Sequence, residues 1–342
     1  MIVIFSIMLL FAFGISALLA HRMIGYAHRH NILDHPGQRR SHRTPTPRGG
    51  GIGIVVGCAL TMPIPLAALN WGALPTVAAT LLFSLLLIAG IGWLDDRHSL
   101  SVCVRLLVQA LAVGLFTVAM IYSEQIHWFW LLPLLFTGLW STNLHNFMDG
   151  IDGLLAQQAI FVATGIGLLA MSAGQLALAA SALCMAAATL GFWLFNRHPA
   201  RIFMGDVGSG SLGFLIYALI ALPWTRDTEL LWPALTLCSA FVTDSTLTLL
   251  LRISHGKRWY AAHREHLYQW LARSRSDHAG SVRVYLGWNV FVAAPMAFVA
   301  TLWRPGGWLV CLSVYALAAW LWLASKRNLL SRRRHGGHHA SA

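Results

Sequence analysis

Two carboxylates three residues apart, Asp149 and Asp152, stand between apolar segments in "NLHNFMDGIDGLL", behind Asn143 and Asn146 and each followed by a glycine. Two adjacent acids, Asp95 and Asp96, close the apolar run of "IGWLDDRHSL", and Asp206 lies in "RIFMGDVGSGSLGF". Closely spaced carboxylates repel unless a cation or a proton holds them. Hard oxygen donors of this kind suit Mg²⁺, with Mn²⁺ as a substitute, and such ions bind through one or two carboxylates plus substrate phosphates. The glycines of "DGIDG" and "MGDVGSG" let backbone approach a ligand and present N–H groups at a helix start, where anions bind. The complementary charge comes from "RRSHRTPTPRGGG", which contains Arg48, and from "HGKRWYAAHREHLYQWLARSR". In the second, His263, Arg264 and His266 form a compact group able to contact oxyanions. Metal, phosphate and a lipid surface together point to phosphoryl transfer onto a membrane-embedded acceptor.

The elements that must position these residues are apolar. Of 342 residues, 57% are hydrophobic and 11% charged, and the mean hydropathy is +0.63. A soluble chain of this length needs far more polar surface. A membrane-spanning helix takes about 20 mostly apolar residues. Such runs fall near 2–20, 51–69, 76–94, 104–122, 127–142, 154–172, 176–195, 207–223, 231–251, 284–303 and 307–325. The expected fold is therefore an all-α polytopic membrane protein of about eleven transmembrane helices. The fifth run is short, and the eighth begins rich in glycine. The first run has no basic residue before it, so it is expected to be retained as a helix rather than cleaved as a signal peptide. The strongly basic segment behind it puts the N-terminus outside. Eleven crossings from there place every Lys and Arg except Arg226 and Arg304 in inner loops or in a basic cytoplasmic tail, 325–342. The formal charge of +12 is then explained by topology and by affinity for anionic lipid, and nucleic acid is not needed. No repeat or linker is visible, so residues 1–342 are expected to form one domain. The five scattered cysteines make no CxxC and read as small core residues.

With that topology the acids sort by side. Glu124, Asp227 and Glu229 fall outside; Asp95, Asp96, Asp149, Asp152 and Asp206 reach one inner surface from three separate loops. Asp244 lies inside the ninth run, about two turns from its inner end.

"LDDR", "NFMDGIDGLL", "FMGDVGSGSLGF" and "AHREHLYQ", in that order and each at an inner loop, resemble the bacterial polyprenyl-phosphate N-acetylhexosamine-1-phosphate transferases, with "SHRTPTPRGGGIGI" similar to that family's first inner loop. The resemblance covers about Asp34 to Gln269. It implies ten or eleven transmembrane helices with a site at the cytoplasmic face of the inner membrane. The implied reaction joins a sugar 1-phosphate from a UDP-sugar of the HexNAc type to undecaprenyl phosphate and releases UMP. By motif, Asp206 resembles the principal Mg²⁺ ligand with Asp95 nearby, and Asp95 or Asp96 the group that activates the lipid phosphate. Asn143, Asn146, Asp149 and Asp152 would shape the nucleotide-sugar pocket, and Phe203 resembles the residue that stacks on uracil. His263, Arg264 and His266 match the histidine-rich loop that contacts the diphosphate or sugar, with Arg48 and Arg105 as further cations. A homodimer is a partner state that this reading allows.

Departures narrow the group. The phospho-MurNAc-pentapeptide enzymes carry three histidines where this chain has "HREHLY", and the sequence is more similar to members that initiate O-antigen or related surface glycans, some on 6-deoxy sugars. Cys103 stands where relatives often place Lys or Pro, which leaves Arg105 as the cation of that loop. "RGGGIGIVVG" fails the dinucleotide fingerprint, and Gly49, Gly53 and Gly57, four apart, read as a close helix contact. A cation-coupled transporter is the rival from another class. Its acids should sit near the midplane in paired repeats; here only Asp244 is placed so.

Overall fold

A computed structural model describes residues 2–34, 45–68, 74–258, 263–275 and 277–337. All eleven apolar runs fold as helices. Eight spans among the described residues are long and apolar enough to cross a membrane, or nine when one bent pair is counted as a single span. The eight are α1 (Ile2–Arg29), α4 (Leu74–His98), α5 (Val102–Ser123), α7 (Leu154–Ser172), α8 (Leu176–Asn196), α9 (Asp206–Arg226), the unit 278–302, and the last helix with its leading turn. The bent pair is α10 (Leu231–Leu237) and α11 (Ser239–Ser254), at 73° to each other. The other two runs give shorter helices: α2 (Ile52–Thr61) with α3 (Pro63–Ala68), separated at Met62 just before a proline, and α6 (Leu131–Phe147). A short α12 (Leu267–Arg275) precedes α13 (His278–Trp288), which passes through a π turn at Asn289–Ala293 into α14 (Ala294–Leu302). The described residues end in α15 (Gly307–Gly337), so the described part of the basic tail continues the last helix.

Packing follows side-chain size. Helices in lipid gain nothing by hiding leucine from leucine, so they associate where small residues let backbones approach. The glycine-rich start of α9 is such a case. It holds Gly208, Ser209, Gly210, Ser211 and Gly213, and α9 is the bundle's centre, with 89% of its span buried against 17% for α1. A Cβ at Gly92 of α4 would stand 2.5 Å from the Asp206 carbonyl, and one at Gly213 2.5 Å from that of Ser141 in α6. Gly53 and Gly57 of α2 face Ser16 and Ala12 of α1 in the same way, as their spacing predicts; Gly49 lies ahead of the helix at φ +91°, against Trp93. The large apolar side chains that remain exposed, among them Leu107, Phe136, Phe291 and Trp320, are those a bilayer would cover.

The first connection is drawn onto this core by backbone pairing. Leu33–Asp34 and Thr46–Pro47 form a two-residue antiparallel ladder. Phe203 N–H donates to Pro47 O at 2.8 Å, Gly50 N–H to Phe203 O at 3.0 Å and Gly51 N–H to Met204 O at 2.9 Å. Arg48 is thereby set against the start of α9. The opposite end of the bundle carries Arg226 paired with Glu124 at 3.2 Å and Arg304 paired with Asp227.

Candidate active site

At the end where α4, α6 and α11 finish and α7 and α9 begin, a cavity of about 280 Å³ is lined by Asp34, Arg48, Asn146, Asp149, Asp152, Phe203, Asp206, Arg264, Gln269, Arg273 and His278. Segments far apart in sequence therefore meet as the inner-loop assignment requires.

The floor is an acid–guanidinium lattice. Arg48 holds Asp206 Oδ1 with Nη2 at 2.7 Å and Asp96 Oδ1 with Nε at 2.8 Å. Arg105 Nη1 bridges Asp95 Oδ2 at 2.7 Å and Asp206 Oδ2 at 3.2 Å. The neighbours Asp95 and Asp96 differ in what they can do. Asp96 is fully buried, and its carboxylate accepts the backbone N–H of Asp206 at 2.9 Å and of Val207 at 3.2 Å. It caps α9, where unsatisfied N–H groups favour a negative charge, and thereby fixes Asp206. Asp95 caps no helix; it accepts Leu100 N–H at 2.6 Å and Arg105 at 2.7 Å and lies beside Asp206. Gly205 is the tight point of this arrangement. Its φ is +77°, and a Cβ there would lie 2.5 Å from Asp96 Oδ2. Gly205→Ala should therefore displace the Asp96 cap and cost about 1–3 kcal/mol from φ alone; a thermal midpoint equal to wild type would refute this packing.

The "DGIDG" turn sits above the lattice. Asn146 donates to Ser209 Oγ at 3.0 Å. Asp149 is half-buried; burial first, then the charge on Asp206, pushes its carboxyl up to about 7 despite Arg48. The folded protein thus holds this proton over a range where the unfolded chain has released it. Stability should fall as pH rises from about 4 to about 7. Asp149→Asn should flatten that slope in a thermal melt, and an unchanged slope would contradict the assignment. Asp152 behaves oppositely: burial would raise it, but His278 and His198 outweigh burial and hold it below the usual range.

The connection that follows α11 closes the site from the side. Asp244, buried in α11, accepts Leu267 N–H at 2.8 Å and Tyr268 N–H at 3.3 Å from the start of α12, Tyr285 Oη at 2.7 Å from α13 and Trp322 Nε1 at 2.8 Å from α15. Tyr268 in turn donates to Phe147 O at 3.0 Å, beside Gly150. A chain of contacts thus runs from Asp244 through α12 to the "DGIDG" turn. His266 is buried, stacked near Phe147 and Tyr268, and His263 lies against it. Burial lowers both, His263 to about 4, so both are neutral at pH 7.

Of the residues expected at the site, Arg48, Asn146, Asp149, Asp152, Phe203, Asp206 and Arg264 line the cavity, with Asp95, Asp96 and Arg105 in the lattice beneath. Asn143, His263 and His266 do not line it. Asn143 donates instead to Gln109 at 2.9 Å and to Leu139 O. Asp34, Gln269, Arg273 and His278 line it without having been singled out. Only their place in inner loops pointed to them. As for metal, Asp95 and Asp206 converge closely enough for one guanidinium nitrogen to touch both, and every nearby donor is oxygen. That set fits a hard divalent ion.

Residues 78–223 match Glycosyl transferase family 4. The chain is similar to a probable undecaprenyl-phosphate N-acetylglucosaminyl 1-phosphate transferase of Bacillus subtilis, at 29% identity over 79% of this chain and 78% of that one. It is also similar to phospho-N-acetylmuramoyl-pentapeptide-transferases of a Synechococcus strain (34%, covering 63% of each chain) and of Bacillus pumilus (26%, covering 94% of this chain and 99% of that one). Residues 78–223 thus resemble glycosyl transferase family 4, and the relatives named are of the polyprenyl-phosphate sugar-1-phosphate transferase kind that the loop motifs resemble. The chain is a multi-pass membrane protein and an enzyme of the transferase kind.

Proposed function

We propose that the protein transfers a HexNAc-1-phosphate, or its 6-deoxy relative, from a UDP-sugar to undecaprenyl phosphate at the cytoplasmic face of the inner membrane. The products are UMP and undecaprenyl-diphospho-sugar, and the step begins assembly of a lipid-linked surface glycan of the O-antigen type. The observation that carries this reading is the lattice of Asp95, Asp96 and Asp206 held by Arg48 and Arg105, on the wall of a polar cavity at one end of the bundle.

The reaction brings a phosphate monoester against an already anionic diphosphate, so charge repulsion is the main obstacle. Arg48, Arg264 and Arg273 are placed to receive phosphate oxygens, and Phe203 offers an aromatic face to the base. Asp206 and Asp95 would hold Mg²⁺, or Mn²⁺, which neutralises phosphate charge when bound. Asp96 keeps Asp206 aimed through the first N–H groups of α9 and through Arg48. Asp95, which caps no helix, is assigned to the acceptor side. A strong base is not required, because the acceptor phosphate is mostly ionised near neutral pH. Asp149, titrating near 7, can meet the donor as carboxylic acid or carboxylate. Asp149→Asn should therefore raise the apparent constant for UDP-sugar more than that for lipid phosphate; equal changes in both would move Asp149 out of the donor pocket.

A phospho-MurNAc-pentapeptide donor is the second reading, favoured by the names of two of the relatives. The two separated histidines of "HREHLY", in place of three, count against it. UMP release from purified protein with undecaprenyl phosphate and Mg²⁺, measured across UDP-GlcNAc, UDP-GalNAc, their 6-deoxy relatives and UDP-MurNAc-pentapeptide, tests both. EDTA-sensitive release with an amino-sugar donor supports the proposal. Release only with the pentapeptide donor would replace it by the second reading.

A further inference from the structure

Outside the acid–guanidinium lattice, one cluster brings three metal-binding side chains together from three parts of the chain. Asp152 comes from the turn before α7, His198 from the segment after α8, and His278 is the first residue of α13. One ligand atom from each lies within 4.8 Å of the other two. His278 Nδ1 is 3.4 Å from Asp152 Oδ1, and His198 Nδ1 is 2.7 Å from Asp152 Oδ2. Ala200 N–H donates to that same Oδ2 at 3.2 Å and steadies the carboxylate.

Hydrogen bonding accounts for His198 but not for His278. His278 Nδ1 is buried yet makes no hydrogen bond, since its approach to Asp152 has the distance but not the direction of one. A buried polar atom without a partner is destabilising, and a nitrogen lone pair facing a carboxylate is what a bound cation would use. The separation of 3.4 Å is also that expected between two ligands of a tetrahedral ion bound at about 2.0–2.1 Å. His198 is 43% exposed at its side chain, so its ring can withdraw from hydrogen-bond to ligand distance without repacking the core.

We infer that Asp152, His198 and His278 form a second cation site, chemically distinct from the Asp95–Asp206 pair. Two imidazoles and one carboxylate select borderline ions of the zinc class over Mg²⁺, which prefers oxygen alone. Three protein ligands leave a coordination position open, and because Asp152 and His278 both line the cavity, that position faces it. A bound ion would tie the start of α13 to the "DGIDG" turn. It would also engage an Asp152 oxygen that the proposed donor pocket uses; this consequence alone rests on the transferase reading.

The test is Co²⁺ binding to chelator-stripped protein, with Zn²⁺ displacement. His335, His338 and His339 are changed to Ala throughout to remove the histidines of the tail. The expected result is one saturable site per chain with the visible spectrum of a low-coordinate Co²⁺–imidazole centre. Zn²⁺ should displace the ion and millimolar Mg²⁺ should not. His198→Ala and His278→Gln should each weaken binding by about tenfold or more, the lower end of the losses seen even for groups that only support a ligand. His198→Ala lies at the surface, and a metal-free melt equal to that of the parent verifies its fold. Absence of saturable binding, binding unchanged in both variants, or displacement by Mg²⁺ would each overturn the inference. Activity enters none of these readouts, so failure of the transferase proposal would leave the result standing.

Discussion

Asp206→Asn should abolish UMP release while the protein still inserts and purifies. The carboxylate is shared by Arg48 and Arg105, so it anchors the acid–guanidinium lattice. Replacing one oxygen by an amide removes a negative charge between two guanidiniums and presents N–H groups to them instead. Loss of a single electrostatic contact of this kind commonly costs on the order of 10²–10³ in rate. Because Asp206 would also hold Mg²⁺, at least that much is expected here. The change barely alters volume, and the Asp96 cap binds the backbone N–H of Asp206, which the substitution leaves in place. Thermal stability should therefore stay near wild type. Turnover within tenfold of wild type would remove Asp206 from its assigned role.

Asp244→Ala should have the largest structural effect of any single change near the site. It deletes the acceptor of two backbone N–H groups, a tyrosine hydroxyl and an indole N–H in one step. Orphaned buried donors cost about 1–3 kcal/mol each, and with partial relaxation the total should be about 3–5 kcal/mol. The loss should be local before it is global. Amide exchange should rise across α12 and then in the "DGIDG" turn, which Tyr268 reaches through Phe147 O. Asp244→Asn, which keeps one acceptor oxygen, should recover part of the protection. Unchanged exchange over 263–275 in the Ala variant would show that α12 is held by packing alone.

What could be read from the sequence was what periodicity and side carry. Apolar runs gave the helices, and the basic residues sorted the loops, because both are properties of segments. The glycine-rich opening of α9 looked weak as a span by composition. It is the most buried span of the bundle because packing in lipid rewards small residues rather than large ones. Individual roles were less legible. Nothing in "LDD" distinguishes the acid that caps a helix from the one that pairs with Arg105, since the difference depends on where α9 begins in space. Asn143 and Asn146 are equally polar on paper, but three residues of helix turn one toward Gln109 and the other toward Ser209. His263 and His266 drew attention by composition, yet they stack behind the cavity wall, while Gln269, Arg273 and His278 of the same connection line it. Asp244 was placed in the membrane by its run; apart from Thr248 one turn on, its donors come from residues 23 to 78 positions away, a relation no local pattern contains.

The central claim concerns which bond breaks. UDP-GlcNAc, or whichever donor supports UMP release, would be labelled with ³²P in the phosphate attached to the sugar and incubated with undecaprenyl phosphate and Mg²⁺. The products would then be separated into lipid and water-soluble fractions. Attack of the lipid phosphate on the sugar-bound phosphorus predicts that all transferred label moves into the lipid, that the released UMP is unlabelled, and that EDTA or Asp206→Asn stops both. Label left in a water-soluble UDP while sugar reaches the lipid would mean transfer of the sugar alone, and would contradict the phosphate-handling role given to Arg48, Arg105, Asp95 and Asp206.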